Sequence, residues 1–150
     1  KASFNAKNNT TVTGMQYKAA EGFTLAFQNG WEKEAYTNGK IWQVATLRPG
    51  KYRLEVTYAY PMVVSDAGNF ISALMAKGNS ESDIPNVADI EQLNGVCAIY
   101  DKAGTNDDSG VLVTPSFEVT ETTDVVIGFL TSLAKGNSYF KVTELKLILE

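Results

Sequence analysis

Five aromatic residues of this sequence lie beside turn and loop residues. Trp31 follows Asn29-Gly30 and precedes Glu32-Lys33-Glu34, and Tyr36 precedes Asn38-Gly39. Tyr60 stands at a strand end against Pro61, Tyr100 ends a strand beside Asp101, and Tyr139 follows Asn137-Ser138. A flat ring in such a place can stack on the apolar C–H face of a sugar, while planar polar side chains such as Asn, Asp or Arg meet the hydroxyls. That chemistry assigns carbohydrate binding to Trp31, Tyr36, Tyr60, Tyr100, Asn137 and Tyr139. For each ring, packing at the rim of the fold is the competing reading. Trp42 lies inside a strand pattern and is assigned to the core.

Catalytic and metal chemistry find less to work with. Histidine is absent, which excludes Ser-His-Asp triads, Cys-His pairs and histidine-ligated metals. The lone Cys97 cannot form an internal disulfide, and in the run Val96-Cys97-Ala98-Ile99-Tyr100 it reads as a small buried hydrophobe. No glycine-rich phosphate loop stands between a strand and a helix. Asp66, Glu91 and Asp101 supply carboxylates in number, but a hydrolase needs two facing each other across a cleft. Asn106-Asp107-Asp108 offers hard oxygen ligands without the spacing of an EF-hand loop, and a solvated polar loop is the reading adopted. No cofactor is therefore expected.

The elements that must position these residues are strands. Tyr52, Leu54, Val56, Tyr58 and Tyr60 alternate with Arg53, Glu55, Thr57 and Ala59, the period of a half-buried strand. By this parity Tyr58 and Tyr60 belong on the core side with Leu54. Pro49-Gly50 marks a turn, and Ile41 to Leu47 is expected to pair across it as a hairpin. Further runs are Phe23 to Phe27, Phe70 to Ala76, Val96 to Tyr100, Val111 to Val113 and Phe117 to Val119. Val125 to Leu130 is apolar on both faces and should be a central strand. In the last run, Phe140 and Val142 share one parity and Leu145, Leu147 and Leu149 the other. A β-bulge near Thr143-Glu144 would keep both sets on the core face. Val87, Ile90 and Leu93, ending at Asn94-Gly95, suggest a turn or two of helix. The pentapeptide Ala-Lys-Gly-Asn-Ser occurs at Ala76–Ser80 and Ala134–Ser138 and reads as loop chemistry. The pattern is all-β: a two-layer antiparallel β-sandwich with at most one short helix, forming a single domain over residues 1–150.

Two stretches are sharper than the rest: Asn38-Gly39-Lys40-Ile41-Trp42-Gln43, and Leu47-Arg48-Pro49-Gly50-Lys51-Tyr52-Arg53-Leu54-Glu55-Val56. In these, and in its closing aliphatic strand, the chain resembles the galactose-binding-like jelly-roll domains of bacterial surface and polysaccharide-utilisation proteins. That group includes discoidin-type and carbohydrate-binding modules and uncharacterised domains of Bacteroidetes lipoproteins. The resemblance implies a jelly roll and a non-catalytic module, extracellular or anchored at the outer membrane, that binds glycan or polysaccharide through loops at one end. Some members hold a structural calcium, but no calcium motif maps onto this sequence.

Composition sets the outer limits. Lys and Arg number 13 against 17 Asp and Glu, a net charge of −4, so the basic stripe of a nucleic-acid binder is missing. No run reaches the roughly 20 apolar residues of a transmembrane segment. The first residue is Lys, as expected of a piece of a longer secreted or surface protein whose neighbouring domains are further partners. Three functions compete: a carbohydrate-binding accessory domain, a structural or protein-interaction module, and a small hydrolase. Exposed aromatics clustered with Asn or Asp would mark the first. An exposed apolar patch, with Tyr58 and Tyr60 turned outward, would mark the second. Facing carboxylates in a pocket would mark the third.

Overall fold

The alternating runs become ten strands: β1 (Gly14–Lys18), β2 (Thr24–Asn29), β3 (Tyr36–Leu47), β4 (Gly50–Met62), β5 (Phe70–Lys77), β6 (Cys97–Tyr100), β7 (Ser109–Val113), β8 (Phe117–Val119), β9 (Thr123–Leu133) and β10 (Ser138–Leu149). They come from a computed structural model that describes residues 14–18, 24–29, 35–63, 68–93, 95–105, 107–134 and 138–150. All pairings are antiparallel. One sheet has the order β1-β2-β10-β4-β7, with β8 also on β4, and the other has the order β3-β9-β5-β6. The expected two-layer β-sandwich is present.

The sheets meet over Phe27, Val56, Ile71, Phe129 and Phe140 at one end, and over Leu54, Met75, Val119 and Ile127 at the other. Tyr58 stacks on Phe140 at 5.2 Å between centroids, and Tyr100 meets Phe140 edge-on at 5.0 Å. β9 lies between β3 and β5 and is buried from Val125 to Leu133, as its doubly apolar sequence requires.

The hairpin expected across Pro49-Gly50 does not form. β3 pairs with β9, and β4 pairs with β10, β7 and β8, so the turn carries the chain from one sheet to the other. Both strands are half-buried, and each places its inward residues better on a facing layer than beside each other.

The helical segment expected around Val87–Leu93 is present as a 3₁₀ helix, preceded by a shorter one at Glu81–Asp83. Ile84, Val87, Ile90 and Leu93 cover the outer face of the four-stranded sheet, over Trp42, Leu74, Val126 and Leu130. Trp42 is therefore core, at 8% exposure, but in this second layer and not between the sheets. The buried Lys40 ammonium donates to the Ile84 carbonyl at 2.7 Å, and Asn38 Oδ1 accepts from the Val87 N–H at 2.9 Å. Asn38, at φ 53°, thus fastens the cover to a bulge in β3.

The bulge predicted near Thr143-Glu144 is present. Val142 faces Tyr58 while Glu144 faces Thr57, so Thr143 is the extra residue. Phe140 and Val142 point inward before it, and Leu145 packs on both core clusters after it. Leu147 and Leu149 follow the same parity but stay 38% and 63% exposed.

Gly128 shows how closely β9 approaches β3. A Cβ there would stand 2.2 Å from the Ile41 carbonyl oxygen and 2.8 Å from Trp42 Cα. Because backbone cannot yield as a side chain can, Gly128→Ala is expected to cost at least about 2 kcal/mol. The urea midpoint should fall with the m-value unchanged, and an unshifted midpoint would refute the close packing.

Candidate functional site at the β4 bulge

With one outer face covered by the 3₁₀ segment, the outer face of the six-stranded sheet along β4 and β10 carries the exposed side chains of interest among the described residues. Its two halves differ. Around the C-terminal half of β10 the outward rows are charged and paired: Arg53 with Glu55 at 2.9 Å and with Glu150 at 3.0 Å, and Lys146 with Glu144 at 2.8 Å. Around the N-terminal half of β10 the outward residues are mainly aromatic, small or amide-bearing, with Lys141 the charged one among those described.

This second half is organised by an irregularity in β4. Met62 faces Tyr139 and Ala59 faces Lys141, so β4 advances three residues while β10 advances two. Tyr60 carries the turn, at φ 53°, a conformation that bulky L-residues rarely adopt. Pro61 follows and has no N–H to give the ladder. The Tyr60 N–H instead donates to the Asp108 carbonyl at 3.1 Å. The Asp108 carboxylate in turn accepts from the Thr105 N–H at 2.8 Å. Gly104 fits where a Cβ would meet the Pro61 carbonyl at 2.3 Å and the Tyr100 hydroxyl at 2.4 Å. The loop from Gly104 to Asp108 is thereby a brace for the bulge.

The bulge breaks the period-2 pattern at its last step. Tyr58 keeps its inward place against the core, but Tyr60 turns out and is 48% exposed. The inward position expected for Tyr60 is thus corrected, because a residue at positive φ in a bulge no longer obeys the alternation. Beside it, burial of Phe140 and Val142 sends Tyr139 and Lys141 to the outer face. The Lys141 ammonium lies 5.4 Å from the centre of the Tyr60 ring. Gln28 is the β2 neighbour of Tyr139, and Ala26 that of Lys141. Ala59 and Ser109 continue the row on β4 and β7. Asn69 anchors the start of β10, donating to Ser138 Oγ at 3.1 Å and accepting from the Ala134 N–H at 2.8 Å.

Of the six residues assigned from sequence, Tyr60 and Tyr139 are brought together here. Trp31 and Asn137 lie outside the described residues. Tyr36 and Tyr100 are both 6% exposed and belong to the inter-sheet core, so their rings have no free face for a sugar. Tyr36 bonds through its hydroxyl to Thr131 Oγ1 at 3.1 Å and lies over Gly39. Tyr100 is edge-on to both Tyr58 and Phe140. Each stands next to polar residues in sequence because it closes an end of the core. Lys141 was missed by the sequence reading. Lys141 was within reach of it, since it shares parity with Tyr139 on a strand whose other parity is core.

Among the described residues no group of three or more Cys, Asp or Glu is arranged to hold a metal ion. The Asp83 carboxyl is held below the usual carboxylate range, by its bonds from the Ser80 hydroxyl and the Ser80 and Asn79 N–H groups. Glu150 is also lowered, by Ser116 and Arg53. Those directions favour fixed carboxylates and not proton donors.

Comparison with known proteins places the chain. Residues 1–128 match the model of a family described as a domain of unknown function, DUF5013. The chain belongs to this family. No curated protein matches. Among solved structures it is similar to TmCBM61 in complex with β-1,4-galactotriose, with TM-score 0.56 and 11% identity over 99% of this chain and 89% of that one. It is also similar to part of Xylanase10C from Cellvibrio japonicus in complex with xylopentaose, with TM-score 0.52, 10% identity and 97% of this chain against 26% of that one. At such identities these likenesses show the fold, a β-sandwich of the carbohydrate-binding-module kind, as the sequence resemblance implied.

Two measurements test the local geometry. Tyr60→Gly removes about 1 kcal/mol of backbone strain, which offsets the lost ring contacts, whereas a β-branched residue at the same φ adds about 1–2 kcal/mol. The melting temperature should therefore hold or rise for Tyr60→Gly and fall for Tyr60→Val; equal losses would contradict the strained display. The Tyr100 phenol is pushed up to about 12 by burial and by the nearby Tyr58, Asp108 and Asp101. A phenol raised only in the folded state stabilises fully below its unfolded pKa, and that stability is lost as pH rises through the folded one. Denaturant midpoints should therefore decline between about pH 10 and 12, and the Tyr100→Phe variant should decline less.

Proposed function

We propose that this domain is a non-catalytic carbohydrate-binding module, and that it binds glycan on the outer face of the six-stranded sheet through Tyr60 and Tyr139. The observation that carries this reading is the outward Tyr60 ring, 48% exposed and held at positive φ, on the same stretch of the β4–β10 pair as Tyr139. Strained backbone persists where surrounding structure over-determines it, and such places are enriched in ligand sites. An exposed ring contributes through stacking, while Ser109 and Lys141 stand at positions where hydroxyls would be met. Similarity to TmCBM61, solved with β-1,4-galactotriose, and to a quarter of Xylanase10C, a chain solved with xylopentaose, supports β-1,4-galactan and xylan as first probes. The resemblance implied contact through end loops; on the reading proposed here the contact lies on the sheet at the β4 bulge, next to one end.

A secreted or cell-surface setting, with anchoring at an outer membrane, fits a module of this kind. No helix among the described residues is long and apolar enough to cross a membrane. The competing reading, a protein-interaction module, is tied to Tyr58 and Tyr60 both turned outward; Tyr60 is, while Tyr58 packs on the core.

Affinity electrophoresis and calorimetry against β-1,4-galactan and xylan test the proposal. Binding is expected to weaken at least about tenfold in Tyr60→Ala and Tyr139→Ala, with unfolding midpoints close to that of the parent protein. Retained affinity in both variants would move the site elsewhere. No binding to any polysaccharide on a broad array would remove the function.

A further inference from the structure

The stretch that displays the Tyr60 ring is gripped at both ends by one neighbouring segment. Within the stretch, Tyr60 takes φ 53°, Pro61 has no N–H to give, and the Val63 N–H turns back to the Pro61 carbonyl at 2.7 Å. At its start, the Tyr60 N–H donates to the Asp108 carbonyl at 3.1 Å; at its finish, the Val63 carbonyl accepts from the Gly104 N–H at 3.3 Å. Asp108 is itself fixed by Thr105 through two bonds. Its carboxylate accepts from the Thr105 N–H at 2.8 Å, and its own N–H donates to the Thr105 carbonyl at 3.2 Å.

This grip is referenced to the core. Gly104 lies against Pro61 and the Tyr100 hydroxyl, and a Cβ there would stand 2.8 Å from Pro61 Cγ. Gly110 lies against the other core tyrosine of this end, where a Cβ would stand 2.5 Å from the Tyr58 hydroxyl. Tyr58 and Tyr100 both pack on Phe140. The core rings therefore set the height of the segment, and the segment sets the backbone of Tyr60. A bulky residue at positive φ keeps that conformation only where its surroundings enforce it. Gly104 has no side chain to offer a sugar, and the direction of its missing Cβ runs into the fold.

We infer that Gly104 and Asp108 are positioning residues for the glycan surface, setting its affinity through the Tyr60 backbone and not through contact with the sugar. The ligand in this inference rests on the reading proposed above; the grip does not. Coupling of this kind is reciprocal, so bound glycan should in turn slow exchange of the Tyr60 and Gly104 amides.

Amide hydrogen exchange followed by NMR on the free protein, together with calorimetric titration of β-1,4-galactan and xylan, tests the inference in three variants. Gly104→Ala drives a methyl into Pro61 and Tyr100, so the segment must move. Asp108→Ala removes the acceptor for the Thr105 N–H, and Asp108→Asn keeps an amide oxygen in its place. In Gly104→Ala and Asp108→Ala the Tyr60 amide should exchange at least about fivefold faster and the dissociation constant should rise at least about fivefold, the loss of one or more bonds of this kind. Asp108→Asn should restore both. Parent affinity alongside a faster Tyr60 amide would overturn the inference and leave the glycan site standing. An unchanged Tyr60 amide in Asp108→Ala would overturn the grip, and this comparison decides even if Gly104→Ala does not fold. Affinity lost in Asp108→Asn with a parent-like Tyr60 amide would make the carboxylate a sugar contact and overturn the positioning role. A parent protein that binds no glycan would remove the proposed function and this inference with it, whatever the Tyr60 amide does.

Discussion

The Phe140 ring is the contact on which the rest depends. It stacks on Tyr58 of β4 and meets Tyr100 of β6 edge-on, so one side chain joins both sheets. Fixing Phe140 inward fixes β10 at that point, and strand alternation then leaves Tyr139 and Lys141 no place but the outer face. The open surface at Tyr60 and Tyr139 is thus a by-product of the core beneath it. A buried aromatic of this size contributes several kcal/mol relative to alanine, enough to hold an unfavourable backbone nearby.

Two irregularities lie on the neighbouring strands β4 and β10. Thr143 adds a residue to β10 and swaps which parity faces the core. Tyr60-Pro61 adds one to β4 and turns an aromatic away from it. Both occur where β4 and β10 run together, and they divide the pair into an aromatic half and a charged half. A regular ladder would have kept Tyr60 in the core and put Leu145 in water. The bulges let one pair of strands serve a packed interior and a displayed surface along different parts of its length.

Much of this was legible in the residues. The sandwich, the central position of β9, the short helical segment and the bulge at Thr143 all follow from hydrophobic period, because that period reports which faces are covered. Pairing partners were not legible. The strands flanking Pro49-Gly50 are each compatible with a hairpin, and only the facing layers decide against it. Of the candidate site, Tyr60 and Tyr139 could be named from their polar neighbours, but the same signal chose Tyr36 and Tyr100. A ring next to Asn or Asp in sequence marks the end of a strand. Whether it turns outward depends on local backbone: Tyr36 begins β3 ahead of its bulge and Tyr100 ends β6, and both close the core, while Tyr60 itself sits at positive φ. No single-residue property carries that difference. The covering of Trp42 was hidden for a related reason, since burial under a 3₁₀ segment and burial between sheets leave the same mark in sequence.

The place of β10 also bears on how the chain acquires its structure. It is the last strand described, yet it sits between β2 and β4 in the middle of the larger sheet. Neither β2 nor β4 has its main partner until residues 138–149 exist, and more than 80 residues separate Tyr52 from its partner Leu149. Ordering so distant a pair costs chain entropy before any contact returns it. During synthesis, therefore, the first nine strands would wait with an unfilled slot at the centre of the sheet, and insertion of the final strand would complete the domain in one late, cooperative step.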